Sequence, residues 1–435
     1  MKKKILNKLG VSNRLFSNVG VIFLANLGNN GIALLINIAV ARWFSYEVFG
    51  QFSIAINIAM TVQAIAEFGI NLTMIRLYKE YQEDNDKKNA IISWNVFFKL
   101  LQFIIIVIIA FQFSDSLSSF LMPGNENRVL VLVAIISGSL LLFWEFFKSY
   151  FQTQDKFRKI AAFTFIYSIL RLVLMIAILF YGMNDNVVYI FLSVYAIPMV
   201  PILIVGFYGL AKELNLKGNV LSKLGEVERE YISYSKWVAL AGISFILTQK
   251  VMIFLISSFL DLKSVSILSA SLVFVSIFTL FNNSVIQVVF PKMAAFDDMG
   301  ILEYKKKLTK ILPLMIMLGS IVIIFCSLLM HYVLGEAYKE SLPIFWVNSV
   351  GALIVTWMGF YSLALHSLKR PDLNGIVSVF VLFVFSIGGY LIIKVLNKGL
   401  MEVVVYYVVL LILSEFIKRI IINNIIKYRK RDVDG

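Results

Sequence analysis

Twelve apolar runs, each long enough to cross a bilayer, follow one another along this chain. They lie near residues 18–41, 48–75, 90–113, 129–151, 160–181, 187–210, 237–259, 265–290, 309–332, 343–366, 374–396 and 400–422. A membrane helix needs about 20 mostly apolar residues, and in lipid its backbone must satisfy its own polar groups. The runs therefore predict an all-α, polytopic membrane protein with about twelve transmembrane helices. Composition agrees, with 60% of residues hydrophobic and 15% charged, against roughly 45–50% and about 25% in soluble domains.

Positive charge sets the expected orientation. Of 40 Lys and Arg, 31 fall in the termini and in the loops on the terminal side, and 6 fall in the opposite loops. Cytoplasmic loops carry such an excess, so both termini are expected in the cytoplasm. The net charge of +14 is thus spread over short loops, which argues against a nucleic-acid partner. Ala39-Val40-Ala41 resembles a signal cleavage site, but the preceding run is longer than a signal segment and eleven more follow. Ahead of it, Ile5, Leu6, Leu9 and Phe16 alternate with Lys2, Lys3, Lys4, Lys8 and Arg14. This reads either as a basic amphipathic segment on the inner membrane face or as a disordered basic tail.

The longest hydrophilic stretch, residues 211–236, divides the spans six and six. Two six-helix lobes related by a parallel repeat are expected, over residues 1–215 and 216–435. Short basic turns after the fourth span (150–157) and the tenth (365–372) stand in equivalent places.

Several chemistries are excluded. Cys326 is the single cysteine, and His331 and His366 are the two histidines, so neither a disulfide nor a cysteine cluster forms. No GxxxxGK[ST] or HExxH motif is present. No catalytic residue, metal or cofactor is expected. The longest non-cytoplasmic loop is expected at Ser114–Asn127, short for a glycan polymerase or ligase.

Three cations remain inside spans: Lys99, Arg171 and Lys250. Each costs about 2.5–3.5 kcal/mol at a helix centre, which marks it as a functional candidate. At 1.5 Å per residue they lie roughly 13, 16 and 20 Å from the inner surface, near the middle of the membrane. Polar stripes at helical spacing accompany them: Asn26, Asn30 and Asn37 in the first span, Asn95, Lys99 and Gln102 in the third, Thr164, Tyr167, Ser168 and Arg171 in the fifth, and Ser276, Thr279, Asn283 and Gln287 in the eighth. Such stripes are served by one shared aqueous cavity. Two acids are also embedded, Glu67 between Gln63 and Asn71, and Glu145. They are candidates for ion coupling, or static partners of Lys99 or Arg171. Cations in a cavity suit an anionic head group such as phosphate or diphosphate.

Between the first two spans the chain reads Arg42-Trp43-Phe44-Ser45-Tyr46-Glu47-Val48-Phe49-Gly50-Gln51-Phe52-Ser53. This resembles the R-x-L-G-P-E-x-F-G-x-Y-S signature of polysaccharide-unit transporters, with Ser45-Tyr46 in place of Gly-Pro and Phe44 in place of Leu. Glu67-Phe68-Gly69-Ile70, Phe290-Pro291 and Leu334-Gly335-Glu336-Ala337-Tyr338 resemble further segments of that family in order along the chain. These are the Wzx-type O-antigen and capsule repeat-unit flippases, within the superfamily of multidrug, oligosaccharidyl-lipid and polysaccharide exporters. The resemblance implies two six-helix lobes and flipping of undecaprenyl-diphosphate-linked oligosaccharide across a bacterial cytoplasmic membrane by alternating access. The implied partners are that polyprenyl-diphosphate-linked oligosaccharide, membrane lipids and other polysaccharide-assembly proteins. A multidrug or other lipid exporter of the same superfamily is the first alternative, and a membrane-embedded glycan polymerase or ligase the second.

Overall fold

The computed structural model describes residues 13–81, 83–181, 186–213, 243–244, 246–293, 298–359, 361, 364–365, 368 and 370–434. Helices make up its regular structure: α1 Asn13–Trp43, α2 Tyr46–Glu67, α3 Ile70–Glu80, α4 Asn85–Leu121, α5 Arg128–Thr153, α6 Phe157–Tyr181, α7 Val187–Phe191 and α8 Met199–Glu213. They continue with α9 Ile246–Phe259, α10 Leu262–Met293, α11 Asp298–Leu334, α12 Ser341–Met358, α13 Pro371–Lys394 and α14 Leu400–Asp434. Among the described residues, 11 helical stretches are long and apolar enough to cross a membrane, and α9 is a shorter apolar helix where the seventh span is expected. The protein is an all-α, polytopic membrane protein. The expected amphipathic segment before residue 13 and most of the hydrophilic stretch at 211–236 lie outside the described residues.

Helix ends depart from the sequence reading in three places. The expected loop Ser114–Asn127 is largely helical, because α4 runs on to Leu121. The remaining turn is pinned by Ser118 Oγ, which accepts the Asn127 N–H at 2.7 Å, and by an Asp115–Arg128 ion pair at 3.1 Å. The last helix does not end near 422 but continues to Asp434. The second span is two helices, broken where Phe68 and Gly69 take φ of 46° and 66°. A bulky residue with positive φ is rare, and broken helices at membrane depth line functional sites.

Three pairs of helices start at a common interval. α4 and α11 are each 37 residues long, and their starts, Asn85 and Asp298, are 213 residues apart (298 less 85). The same 213 separates the starts of α5 and α12 (341 less 128) and of α7 and α14 (400 less 187). Three pairs of helix starts thus share one spacing along the chain.

The chain forms two compact units. The first comprises Met1–Ile36, Ala55–Phe120 and Gly124–Ala239, and the second Asn37–Ile54, Leu121–Pro123 and Leu240–Gly435. In the first, α5 is the central element and packs on α3, α6, α7 and α8. Its core is aromatic, with Phe143, Trp144, Phe146, Phe147, Tyr150 and Phe151 buried along one helix. Gly206 admits the Phe147 ring, which would stand 2.8 Å from a β-carbon there. Gly138 likewise brings α5 against the backbone of Ala59. Small residues let membrane helices approach closely where lipid supplies no hydrophobic drive between them. In the second unit, α12 is central and packs on α10, α11 and α14, with α13 against α14. The long helices α4 and α11 bury few of their residues.

Candidate functional site

The polar equipment of the first unit gathers around the break between α2 and α3. A break leaves carbonyls at the end of one helix and N–H groups at the start of the next without intrahelical partners. Two side chains serve these groups. Gln102 Nε2 on α4 donates to Ala66 O at 2.8 Å, and Glu67 Oε1 accepts the Asn71 N–H at 3.2 Å. Thr73 adds its own N–H and Oγ1 to Gly69 O, at 3.1 and 2.9 Å.

Lys99 projects into this neighbourhood from α4. It is 0% exposed, and among the described residues its Nζ has no hydrogen-bond partner. Glu67, then Glu145, are the carboxylates within charge range of it. Glu67 Oε2 and Gln102 Oε1 are buried there, also without partners. Asn95, one turn before Lys99, is buried. The sequence reading offers Glu145 as a static partner of Lys99 or Arg171. Glu145 forms an ion pair with Lys148, one turn along α5, at 2.6 Å, as helical i, i+3 geometry favours, and it remains within charge range of Lys99.

Arg171 lies on α6 in a different setting. It is 3% exposed, and its guanidinium carbon lies 5.2 Å from the Tyr167 ring centre and 4.5 Å from that of Tyr195. Both are cation–π contacts. Tyr167 in turn packs on Trp144, 5.9 Å between ring centres, and the Lys148 ammonium lies over that indole at 5.6 Å. Among the described residues, Arg171 Nε and Nη2 are buried without hydrogen-bond partners, and no acid forms an ion pair with it.

Tyr195 reaches Arg171 from a π-helical turn, Leu192–Ala196, closed by the Ile197 N–H on Leu192 O at 2.9 Å. Pro198, which cannot donate, follows it. Such single π-turns recur at functional sites. The Tyr195 ring is further held by stacking on Phe191, with centres 5.1 Å apart. Sequence reasoning missed Tyr195 because only the extra residue of the π-turn aims it at α6.

The expected Asn stripe of α1 is only partly in this neighbourhood. Asn26 is exposed, Asn30 and Asn37 are half-buried, and Asn37 falls in the second unit. The α1 residue that reaches the Arg171 helix is Asn29, whose Oδ1 accepts from Ser168 Oγ at 2.8 Å. Lys250, half-buried on α9, also belongs to the second unit, while the side chains of Asn283 and Gln287 lie outside those described. The second unit holds an embedded ion pair that sequence reasoning overlooked: Glu415 and Lys418 on α14, 5% and 7% exposed, 2.6 Å apart. By sequence Lys418 counts among the cytoplasmic charges. An acid and a base at i, i+3 inside an apolar run is the signal that marks the pair.

The signature between α1 and α2 is also in the second unit, where it docks on the turn after α11. Arg42 Nη1 donates to Leu334 O at 3.4 Å, and Tyr46 OH donates to Ala337 O. The Tyr46 and Tyr338 ring centres are 4.9 Å apart, and Phe49 packs edge-on against Tyr338. The departure from Gly-Pro has a local role. Ser45 Oγ accepts the Val48 N–H at 3.3 Å as the N-cap of α2, and Tyr46 makes the contacts just given.

No curated protein sequence matches the chain significantly. Solved structures share its fold at low identity. An inward-facing multidrug resistance MATE family transporter of the MOP superfamily superposes with TM-score 0.75 at 12% identity, covering 93% of this chain and 96% of that one. The lipid II flippase MurJ, in an inward closed conformation, gives 0.67 at 16%, covering 92% and 87%. The MATE multidrug transporter DinF-BH gives 0.67 at 13%, covering 95% and 96%. The family model described as polysaccharide biosynthesis protein matches residues 15–296, more than half of the 435 residues, and the chain belongs to that family.

Proposed function

We propose that this protein flips undecaprenyl-diphosphate-linked oligosaccharide repeat units across the bacterial cytoplasmic membrane, by alternating access, for the assembly of a surface polysaccharide. The observation that carries this reading is Arg171: a cation buried within a membrane helix, held between two tyrosine faces, with two nitrogens unbonded. Guanidinium binds phosphate oxygens through directed N–H donors. Aromatic faces steady the cation without neutralising it, so its charge remains available to an anionic head group. Family membership supports a role in polysaccharide assembly. The likeness to MurJ and MATE structures supports a transporter framework, and a buried cation disfavours the positively charged compounds that a multidrug exporter would carry.

A deletion strain tests this reading. Loss of surface glycan, with complete repeat units retained on the cytoplasmic leaflet, is expected, and Arg171→Gln should reproduce it at normal protein level. Normal surface glycan with new drug sensitivity would replace it with the exporter reading. Repeat units that reach the outer leaflet unpolymerised would replace it with the polymerase reading.

A further inference from the structure

Lys99 and Arg171 look alike in sequence, as single cations in apolar runs. Their surroundings differ in charge and in hydrogen-bonding character. Around Arg171 the neighbours are ring faces, and the unbonded atoms are donors, Nε and Nη2. Around Lys99 the neighbouring charges cancel, since Glu67 and Glu145 face Lys99 and Lys148, two carboxylates against two ammonium groups. The unbonded atoms there are mixed: the Lys99 ammonium as donor, and Glu67 Oε2 and Gln102 Oε1 as acceptors. Gln102 is held in this orientation because its Nε2 is committed to Ala66 O.

A diphosphate offers acceptors and negative charge, so it would satisfy Lys99 but be repelled by Glu67 Oε2 and Gln102 Oε1. A hydroxyl group both accepts and donates. A hydroxyl can thus accept from an ammonium and donate to a carboxylate or an amide oxygen, the kinds of unbonded atom found on Lys99, Glu67 and Gln102. Buried polar atoms left without partners are costly, so a site of this composition selects ligands that bring both functions.

We infer that the Glu67–Lys99–Gln102 cluster is a carbohydrate subsite that takes vicinal sugar hydroxyls, while Arg171 takes the phosphate. This rests on the flippase reading and divides its substrate between two places in the first unit. The helix break contributes directly. It stops α2 at Glu67, so that one carboxylate oxygen holds the Asn71 N–H and the other is left for the ligand. Discrimination of this kind is strong, because a ligand lacking the hydroxyls leaves buried donors and acceptors unpaired.

The test uses full-length protein in lipid nanodiscs and two probes: undecaprenyl diphosphate, and the same lipid bearing one N-acetylhexosamine. The quantity read is the ratio of their affinities. Wild type should prefer the glycosylated probe, and Glu67→Gln should lower that preference about 10-fold. Lys99→Met should act in the same direction and serves as the second variant. Arg171→Gln should weaken both probes together and keep the ratio. If Lys99→Met weakens the bare lipid as strongly as Arg171→Gln does, Lys99 is a phosphate ligand and the inference fails. It also fails if Glu67→Gln leaves the ratio at the wild-type value, as it would if the cluster held only internal water. If wild type binds neither probe, the flippase reading itself fails. Binding of both probes with no preference removes the sugar subsite alone.

Discussion

Arg42 lies across the face of Gly335. A β-carbon built on Gly335 would stand 2.8 Å from Arg42 Nη1, and Gly335 has φ of 73°. The arginine that opens one signature segment thus occupies the space left by the glycine of another, far along the chain. Tyr46 and Tyr338 meet beside them. Burial pushes the Tyr338 phenol well above its usual range, so its ring packs here as the neutral phenol.

Gly335→Ala should therefore lower stability by about 1–3 kcal/mol from the backbone alone, because φ of 73° with ψ of -169° is a conformation that essentially only glycine adopts, with more from displacing Arg42. Gly209→Ala, where a β-carbon meets nothing within 4 Å, is the matched control and should be neutral or slightly stabilising. Thermal unfolding of the two variants in the same detergent checks the difference. Equal midpoints would remove the structural role assigned to Gly335.

The contact of Gly206 with Phe147 gives a second test. Gly206→Ala should lower stability by about 1–3 kcal/mol through overpacking. Phe147→Leu alone should also destabilise, since Phe147 is fully buried. The double variant should be more stable than the two single losses predict, because the sites touch. A double-mutant cycle of thermal midpoints reads this coupling, and simple additivity would contradict the packing described.

At Arg171, Tyr195 presents its ring face to the guanidinium, so the ring rather than the hydroxyl is expected to carry its contribution. Tyr195→Phe preserves the aromatic face and should keep transport within about 2-fold. Tyr195→Ala removes the face, and transport should fall roughly 10-fold. Surface glycan in a complemented deletion strain, at matched protein level, is the measurement. Equal effects of Phe and Ala would transfer the role to the hydroxyl.

These tests mark where sequence reading succeeds and where it stops. Helical spans are legible because lipid enforces about 20 apolar residues each, and Lys99 and Arg171 stand out as charges within such runs. The α2–α3 break is not legible, because Phe68-Gly69 is as apolar as its surroundings and carries no proline. The Glu145–Lys148 ion pair is not ranked by the sequence reading, which weighs interhelical neighbours of Glu145 and not the lysine one turn along its own helix. Tyr195 is invisible since helical spacing aims it elsewhere until a π-turn rotates it. In each case the missing information is a local backbone departure from 3.6-residue periodicity or a contact that spacing alone does not rank.

The Glu415–Lys418 pair makes the last prediction, because burial gives it an unusual mutational signature. Both side chains are enclosed in the second unit, and each supplies the other with a counter-charge at 2.6 Å. Lys418→Met leaves the Glu415 carboxylate buried without this counter-charge, and Glu415→Leu leaves the ammonium so. Each single change should cost about 3–5 kcal/mol. Removing both charges together exchanges an expensive desolvated pair for apolar packing, which is often neutral or stabilising. The double variant should therefore express and melt near wild type, while both single variants fall well below it. The pair lies within one helix at 2.6 Å, so the rescue should not depend on ligand. If the double variant is instead as unstable as the singles, the pair is not self-contained and its charges serve groups elsewhere in the unit. If the double variant is stable yet fails to transport, the pair has a function beyond holding α14 in place.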